Sequence, residues 1–173
     1  MSLATEELLV RPAQHQDLPA LHAVIQRAYR GDSARQGWTH EADLLDDERI
    51  TPQALAAIID DPASLLLLGE REGAPIGSVQ LTDRGAGEVY LGLFCIDPAV
   101  QAGGLGKNLL EQAESAARNN FGATRIVMTV IEQRIELIAY YERRGYVRTG
   151  ARVDFPTSVE PPLYMVELAK NLA

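Results

Sequence analysis

Phe94-Cys95-Ile96-Asp97-Pro98-Ala99-Val100-Gln101-Ala102-Gly103-Gly104-Leu105-Gly106-Lys107 carries an apolar run through a glycine-bearing loop and straight into a helix. At such a joint the first backbone N–H groups of the helix have no carbonyl partners and converge on one point. The helix dipole adds partial positive charge there, which makes the joint an anion site. Glycines let a phosphate approach the backbone, and Lys107 adds a cation. A plain strand–loop–helix joint, with glycines for close packing, explains the same local residues about equally well. Two phosphate motifs fail here. A P-loop needs Gly where Gln101 stands and Ser or Thr where Asn108 stands. A dinucleotide fingerprint needs Gly where Leu109 stands. The pattern that remains is Gln-x-x-Gly-x-Gly, from Gln101 to Gly106.

Upstream of this joint, Glu88–Ile96 reads as a strand ending at Asp97-Pro98. Leu65–Gly69 and Pro75–Leu81 read as two more, joined by a tight turn at Glu72-Gly73-Ala74. Leu8-Leu9-Val10-Arg11 is a short first strand. Leu18, Leu21, Ile25 and Ala28 share one face of a helix opening at Asp17, and Tyr29–Arg49 is polar and irregular. Thr51 as N-cap and Pro52 in the first turn start another helix, which stops near Asp61-Pro62. Downstream, Gly104–Phe121 is an amphipathic helix and Ile126–Ile131 an apolar strand of the kind buried on both faces. Ile135–Arg144 is a helix closed by Gly145, and Tyr146–Arg148 and Leu163–Leu168 supply late strands. The fold class is α/β, with a mixed sheet covered by helices.

Length and composition narrow the function. The chain has 173 residues with no Pro/Gly/Ser linker and no internal repeat, so residues 1–173 are expected to form a single domain. Hydrophobic residues are 46% and charged residues 23%, which excludes a disordered chain. The formal net charge of −8 makes it a poor general binder of nucleic acid, whose affinity comes mostly from Lys and Arg. No apolar run approaches ~20 residues, so no membrane helix is expected. Cys95 is the one cysteine, and no secretory signal is evident in Met1–Glu7, which together suit a reducing cytoplasm. One Cys and three His (His15, His22 and His40) argue against a structural zinc site, so no metal is expected.

With these motifs in place, the sequence resembles the GCN5-related N-acetyltransferase family. That family places Gln/Arg-x-x-Gly-x-Gly/Ala after an apolar strand, as Gln101, Gly104 and Gly106 stand here. A second match is Tyr141-Glu142-Arg143-Arg144-Gly145-Tyr146, similar to the family's Tyr-x-x-x-Gly-Phe/Tyr signature. The order of elements agrees over nearly the whole chain. The resemblance implies a mixed, mostly antiparallel sheet of six to seven strands with a splayed parallel pair, flanked by about four helices. It implies acetyl-CoA as cosubstrate, its pyrophosphate held by Gln101, Ala102, Gly103, Gly104, Leu105, Gly106 and Lys107. Main-chain groups of Phe94, Cys95 and Ile96 would pair with the pantetheine arm where the strand splays near Val127–Val130. The Phe94 N–H would donate to the thioester carbonyl. Tyr141 would protonate the leaving thiolate. Cys95 as a covalent nucleophile is disfavoured, since no nearby His or Asn suggests an activating partner.

The sequence departs from the family at two places. Arg134 stands where many members carry Asn. Tyr90 stands four residues before Phe94, where some carry a glutamate base, although Glu88 is on the same strand. Tyr140, beside Tyr141, reads as a packing residue that faces elsewhere. Arg143-Arg144 reads mainly as helix C-terminal basic residues. Trp38-Thr39-His40-Glu41 followed by Arg49 is similar to a pattern in a subset of the family. It makes Trp38 and Glu41 candidates for binding a small-molecule amine acceptor, with a protein N-terminus or lysine as runner-up and a non-catalytic acyl-CoA sensor as rival. The resemblance also allows a homodimer.

Overall fold

A computed structural model of the chain describes residues 8–35, 50–100, 104–154 and 162–172. Its strands are β1 Leu9–Pro12, β2 Ser64–Arg71, β3 Ala74–Gly85, β4 Glu88–Ile96, β5 Arg125–Ile131, β6 Val147–Asp154 and β7 Tyr164–Asn171. They form one seven-stranded sheet in the order β1-β2-β3-β4-β5-β7-β6. Every neighbouring pair is antiparallel except β4 and β5, which run parallel. The α-helices among the described residues are α1 Leu18–Arg35, α2 Pro52–Asp60, α3 Leu105–Phe121 and α4 Ile135–Glu142, and a short 3-10 turn at His15–Asp17 leads into α1. This is the expected mixed sheet with one parallel pair. None of these helices is long and apolar enough to cross a membrane.

Local chemistry sets the element ends. Glu72 and Gly73 sit at φ 52° and 78°, the left-handed pair that lets Arg71 and Ala74 face each other across a two-residue hairpin. The Thr51 hydroxyl accepts the Ala54 N–H at 3.1 Å and caps α2. α4 closes with Gly145 at φ 97°, and the Tyr146 N–H donates back to the Tyr141 carbonyl at 3.1 Å. Several boundaries differ from the sequence reading: β3 runs on past Leu81 to Gly85 and β7 past Leu168 to Asn171, and two further differences have a local cause. α1 continues to Arg35, into the segment read as irregular from Tyr29. Gly31 is a weak helix former but keeps its N–H, so it does not stop the helix as a proline would. β6 runs on to Asp154, every one of its residues exposed, and so shows no apolar alternation to read.

The sheet buries apolar side chains on both faces. On one face α3 and α4 bring Leu109, Leu110, Ala113 and Ile138 against Val79, Leu81, Ile126 and Met128. On the other, Leu21, Ile25 and Leu55 of α1 and α2 cover Leu66 and Leu68. β4 changes parity between these faces. Its register against β3 slips between Ser78 and Gln80, where Leu93 adopts φ 48°. One extra residue on one strand is a β-bulge. Leu91 and Phe94 therefore both pack with the α3/α4 cluster, while Leu93 and Cys95 both pack with the α1/α2 cluster. The fully buried Ser78 holds the bulge, its hydroxyl donating to the Leu93 carbonyl at 2.7 Å.

Candidate active site

β4 and β5 pair only over Glu88–Tyr90 and Arg125–Val127. Beyond that the two strands part, as the resemblance implied. The Tyr90 hydroxyl reaches Thr129 Oγ1 at 2.7 Å across the start of the gap. On the α3/α4 side the parted end of β4 opens into a cleft of about 460 Å³. Phe94, Cys95 and Ile96 line it from β4, and Gly104, Leu105, Gly106 and Lys107 from the start of α3. Arg134, Tyr140, Tyr141 and Arg144 close the far wall. The structure thus brings these predicted residues of the 94–96, 104–107 and 141 groups to one place. Gln101, Ala102 and Gly103, predicted for the cofactor loop, and Trp38 and Glu41, predicted for the acceptor, lie outside the described residues.

Gly104 enters α3 at φ 84°, a left-handed conformation that favours glycine. Gly106 leaves room for a side chain of the neighbouring helix. A Cβ there would sit 2.8 Å from the Tyr140 hydroxyl oxygen, so the glycine lets α4 close against α3. Tyr140 is therefore a wall of the cleft, a correction to its reading as a residue that faces elsewhere. Neighbours on a helix are about 100° apart, and here both positions line the cleft. Arg144 lies over the Tyr140 ring at 3.5 Å from its centroid and donates from Nη1 to the Tyr140 carbonyl at 2.8 Å. Burial pushes the Tyr140 phenol up, and the Arg144 charge opposes this.

Tyr141 is buried within an aromatic group. Its ring meets Tyr140 and Tyr146 edge-on at centroid distances of 5.5 and 5.8 Å, and lies tilted to Phe94 at 6.2 Å. The bulge at Leu93 is what turns Phe94 to this side. Cys95 packs on the opposite face, its Sγ 3.5 Å from the Ser78 hydroxyl. No histidine lines the cleft among the described residues. Glu88 stands at the paired end of β4, bound to Arg125 at 3.1 Å and to Arg84 at 3.8 Å, and is not among the cleft-lining residues.

The sequence reading missed one ion pair at the cleft. Arg27 of α1 donates from Nη2 to Asp97 Oδ2 at 2.7 Å, and Asp97 lines the cleft just past β4. The Arg27 hydrogen bond holds the Asp97 carboxyl below the usual carboxylate range, against the opposing effect of burial. The partners are 70 residues apart, so no local spacing announces them. The other charged residues facing the cleft are the cations Lys107, Arg134 and Arg144. A cleft that runs from the parted end of β4 to a glycine-led helix start, with Lys107 on that helix and Arg134 and Arg144 at the two ends of α4, fits an extended chain ending in phosphates. Among the described residues, no group of three or more His, Cys, Asp or Glu side chains is placed to hold a metal ion.

Comparison with known proteins agrees with this geometry. The family model described as an acetyltransferase (GNAT) domain matches residues 29–156. The chain is 30% identical over 162 residues to the mycothiol acetyltransferase of Salinispora tropica, covering 85% of this chain and 52% of that protein. It thus spans about half the length of that relative. It is 29% identical over 100 residues to the blasticidin-S acetyltransferase of Streptomyces morookaense, covering 58% of this chain and 68% of that one. Its fold matches the PaiA N-acetyltransferase of Thermoplasma acidophilum, solved in complex with coenzyme A, with a TM-score of 0.75 at 18% identity over 95% of this chain and 99% of that one. By its sequence motifs, its parted parallel strands and its match to the family model, the chain belongs to the GCN5-related N-acetyltransferase (GNAT) family.

Proposed function

We propose that residues 1–173 form one acetyl-CoA-dependent N-acetyltransferase domain that moves an acetyl group directly to the primary amine of a small molecule. The acceptor class is an amino acid, a polyamine-like metabolite or an amine-bearing drug. The observation that carries the reading is the cleft at the parting of β4 and β5, with Phe94 and Tyr141 both in its lining and their ring centroids 6.2 Å apart. Two relatives whose names refer to small molecules, mycothiol and blasticidin-S, support the acceptor class.

Bound acetyl-CoA supplies an activated thioester and a negatively charged phosphate end. The loop Gln101–Lys107 holds the phosphate end with backbone N–H groups and Lys107. Main-chain groups of Phe94, Cys95 and Ile96 align the extended arm, and the Phe94 N–H donates to the carbonyl oxygen that gains charge as the amine attacks. Tyr141 gives its phenol proton to the departing sulfur and is reprotonated as the amine nitrogen loses its own proton. The Tyr140 and Tyr141 rings, which line the cleft, exclude water from that sulfur. Trp38 and Glu41 are the proposed acceptor contacts, and the lone Cys95 is suited to a reducing cytoplasm.

The test is release of free thiol from acetyl-CoA across a panel of primary amines, repeated with Tyr141→Phe. Release should require a particular amine and fall by about 10²-fold or more in the variant. A protein that acetyl-CoA neither stabilises against heat nor acetylates any amine in the panel would overturn the proposal. Stabilisation without any turnover would leave an acyl-CoA sensor as the better reading.

A further inference from the structure

Asp97 is the one acid among the described residues that line the cleft, against the cations Lys107, Arg134 and Arg144. A carboxylate in the wall of a cleft that receives phosphates opposes them, and more strongly where water is excluded. Its side chain is only 8% exposed, so solvent does little to screen it. Nor can it turn away. Oδ1 accepts the Ala99 N–H at 3.0 Å, and the Asp97 backbone N–H and carbonyl are engaged by Ile76 and Val100 at 2.6 and 2.9 Å. The remaining oxygen, Oδ2, is met by Arg27 at 2.7 Å. Arg27 comes from α1, and its neighbour Ala28 lines the same cleft.

We propose that Arg27 is a positioning residue for the cofactor, neutralising Asp97 in the cleft wall and holding the turn at residues 97–100. With the pair intact, the acid anchors the turn without repelling CoA phosphates. This rests on the acetyl-CoA reading of the cleft. It gives α1 a part in cofactor binding.

The test is CoA affinity by titration calorimetry for the full chain and its variants, each first shown to be folded by circular dichroism. Arg27→Gln should weaken CoA binding about tenfold, because it leaves a held carboxylate unpaired. That loss should shrink as salt is raised. Adding Asp97→Asn to Arg27→Gln should restore affinity to within about threefold of the parent protein, since asparagine keeps the acceptor for Ala99 and removes the charge. Binding by Arg27→Gln within about twofold of the parent overturns the inference alone. So does a double variant as weak as Arg27→Gln, because the loss is then one of packing. If Arg27→Gln does not fold, Asp97→Asn decides: it should bind at least as tightly as the parent, and a loss beyond about threefold overturns the inference. A parent protein that does not bind CoA overturns the reading of the cleft and this inference with it.

Discussion

The carboxylate of Glu114 on α3 accepts a hydrogen bond from the Tyr146 hydroxyl at 2.8 Å, within the packed interior. Lys170 of β7 donates to the same carboxylate at 3.0 and 3.2 Å. Burial and the adjacent carboxylate push the Tyr146 phenol far up, so it stays a neutral donor. Tyr146 in turn stands edge-on to Tyr141. Three elements, α3, the turn after α4, and β7, are thus pinned at one point behind the cleft.

Removing the carboxylate strands two donors at once. Glu114→Ala should lower unfolding free energy by about 3 kcal/mol, because it leaves a largely buried ammonium and a buried hydroxyl unpaired. Tyr146→Phe keeps the ring and should cost only about 1–2 kcal/mol. Urea denaturation curves measure both, and equal midpoints for Glu114→Ala and the parent would refute the account.

Gly106 and Tyr140 should depend on each other. Gly106→Ala brings a methyl against the Tyr140 hydroxyl and should weaken CoA binding about tenfold through displacement of that wall. Combining it with Tyr140→Phe removes the obstructing oxygen and should recover most of the loss. A double variant no better than Gly106→Ala alone would show that this contact is not the cause.

Ser78→Ala removes the hydroxyl that holds the bulge and leaves the Leu93 carbonyl short of a donor. The expected cost is about 1–3 kcal/mol. The informative measurement is the ratio of CoA affinity to stability across Ser78→Ala, Ser78→Thr and Ser78→Val. If the bulge sets the face of Phe94, affinity falls further in Ala and Val than in Thr, even at temperatures where all are folded.

Acid should act through Asp17 and Asp97. Arg11 grips Asp17 with Nη1 and Nη2 at 2.8 and 2.9 Å, and this pair, like Arg27–Asp97, holds the carboxyl below its usual range. A carboxyl whose folded pKa is depressed contributes stability that is complete above its unfolded value, about pH 4, and lost as pH falls through the folded value. Asp17→Asn should therefore be less stable than the parent at pH 7, with the gap closing below about pH 4. Denaturant midpoints from pH 7 down to pH 2 check this, and a gap of constant size across that range would refute it.

Much of this site was legible because its residues carry local constraints. Gly104 and Gly106 stand at a strand-to-helix joint, and Tyr141 lies four residues before the glycine that closes α4. β4 begins and ends where the strand read from the sequence does, at Glu88 and Ile96. The parts that escaped are long-range. Arg27 and Asp97 are ordinary charges until the fold brings α1 against the end of β4. Tyr140 becomes a wall only because Gly106 comes opposite it from another helix. The bulge was hidden because Leu91, Leu93 and Phe94 are all apolar, with only Gly92 among them, so no alternation is left to break.

The bulge at Leu93 makes β4 a strand with two reading frames. Before it, the odd positions Val89 and Leu91 serve the α3/α4 face; after it, the even positions Phe94 and Ile96 do. Gain or loss of a single residue between Gly92 and Leu93 would leave the first frame untouched and invert the second, turning the Cys95 side chain toward the α3/α4 cluster and the Phe94 ring toward the α1/α2 cluster. In a comparison of related chains, a one-residue gap at this point is therefore a change in which side chains the end of β4 turns toward α3 and α4.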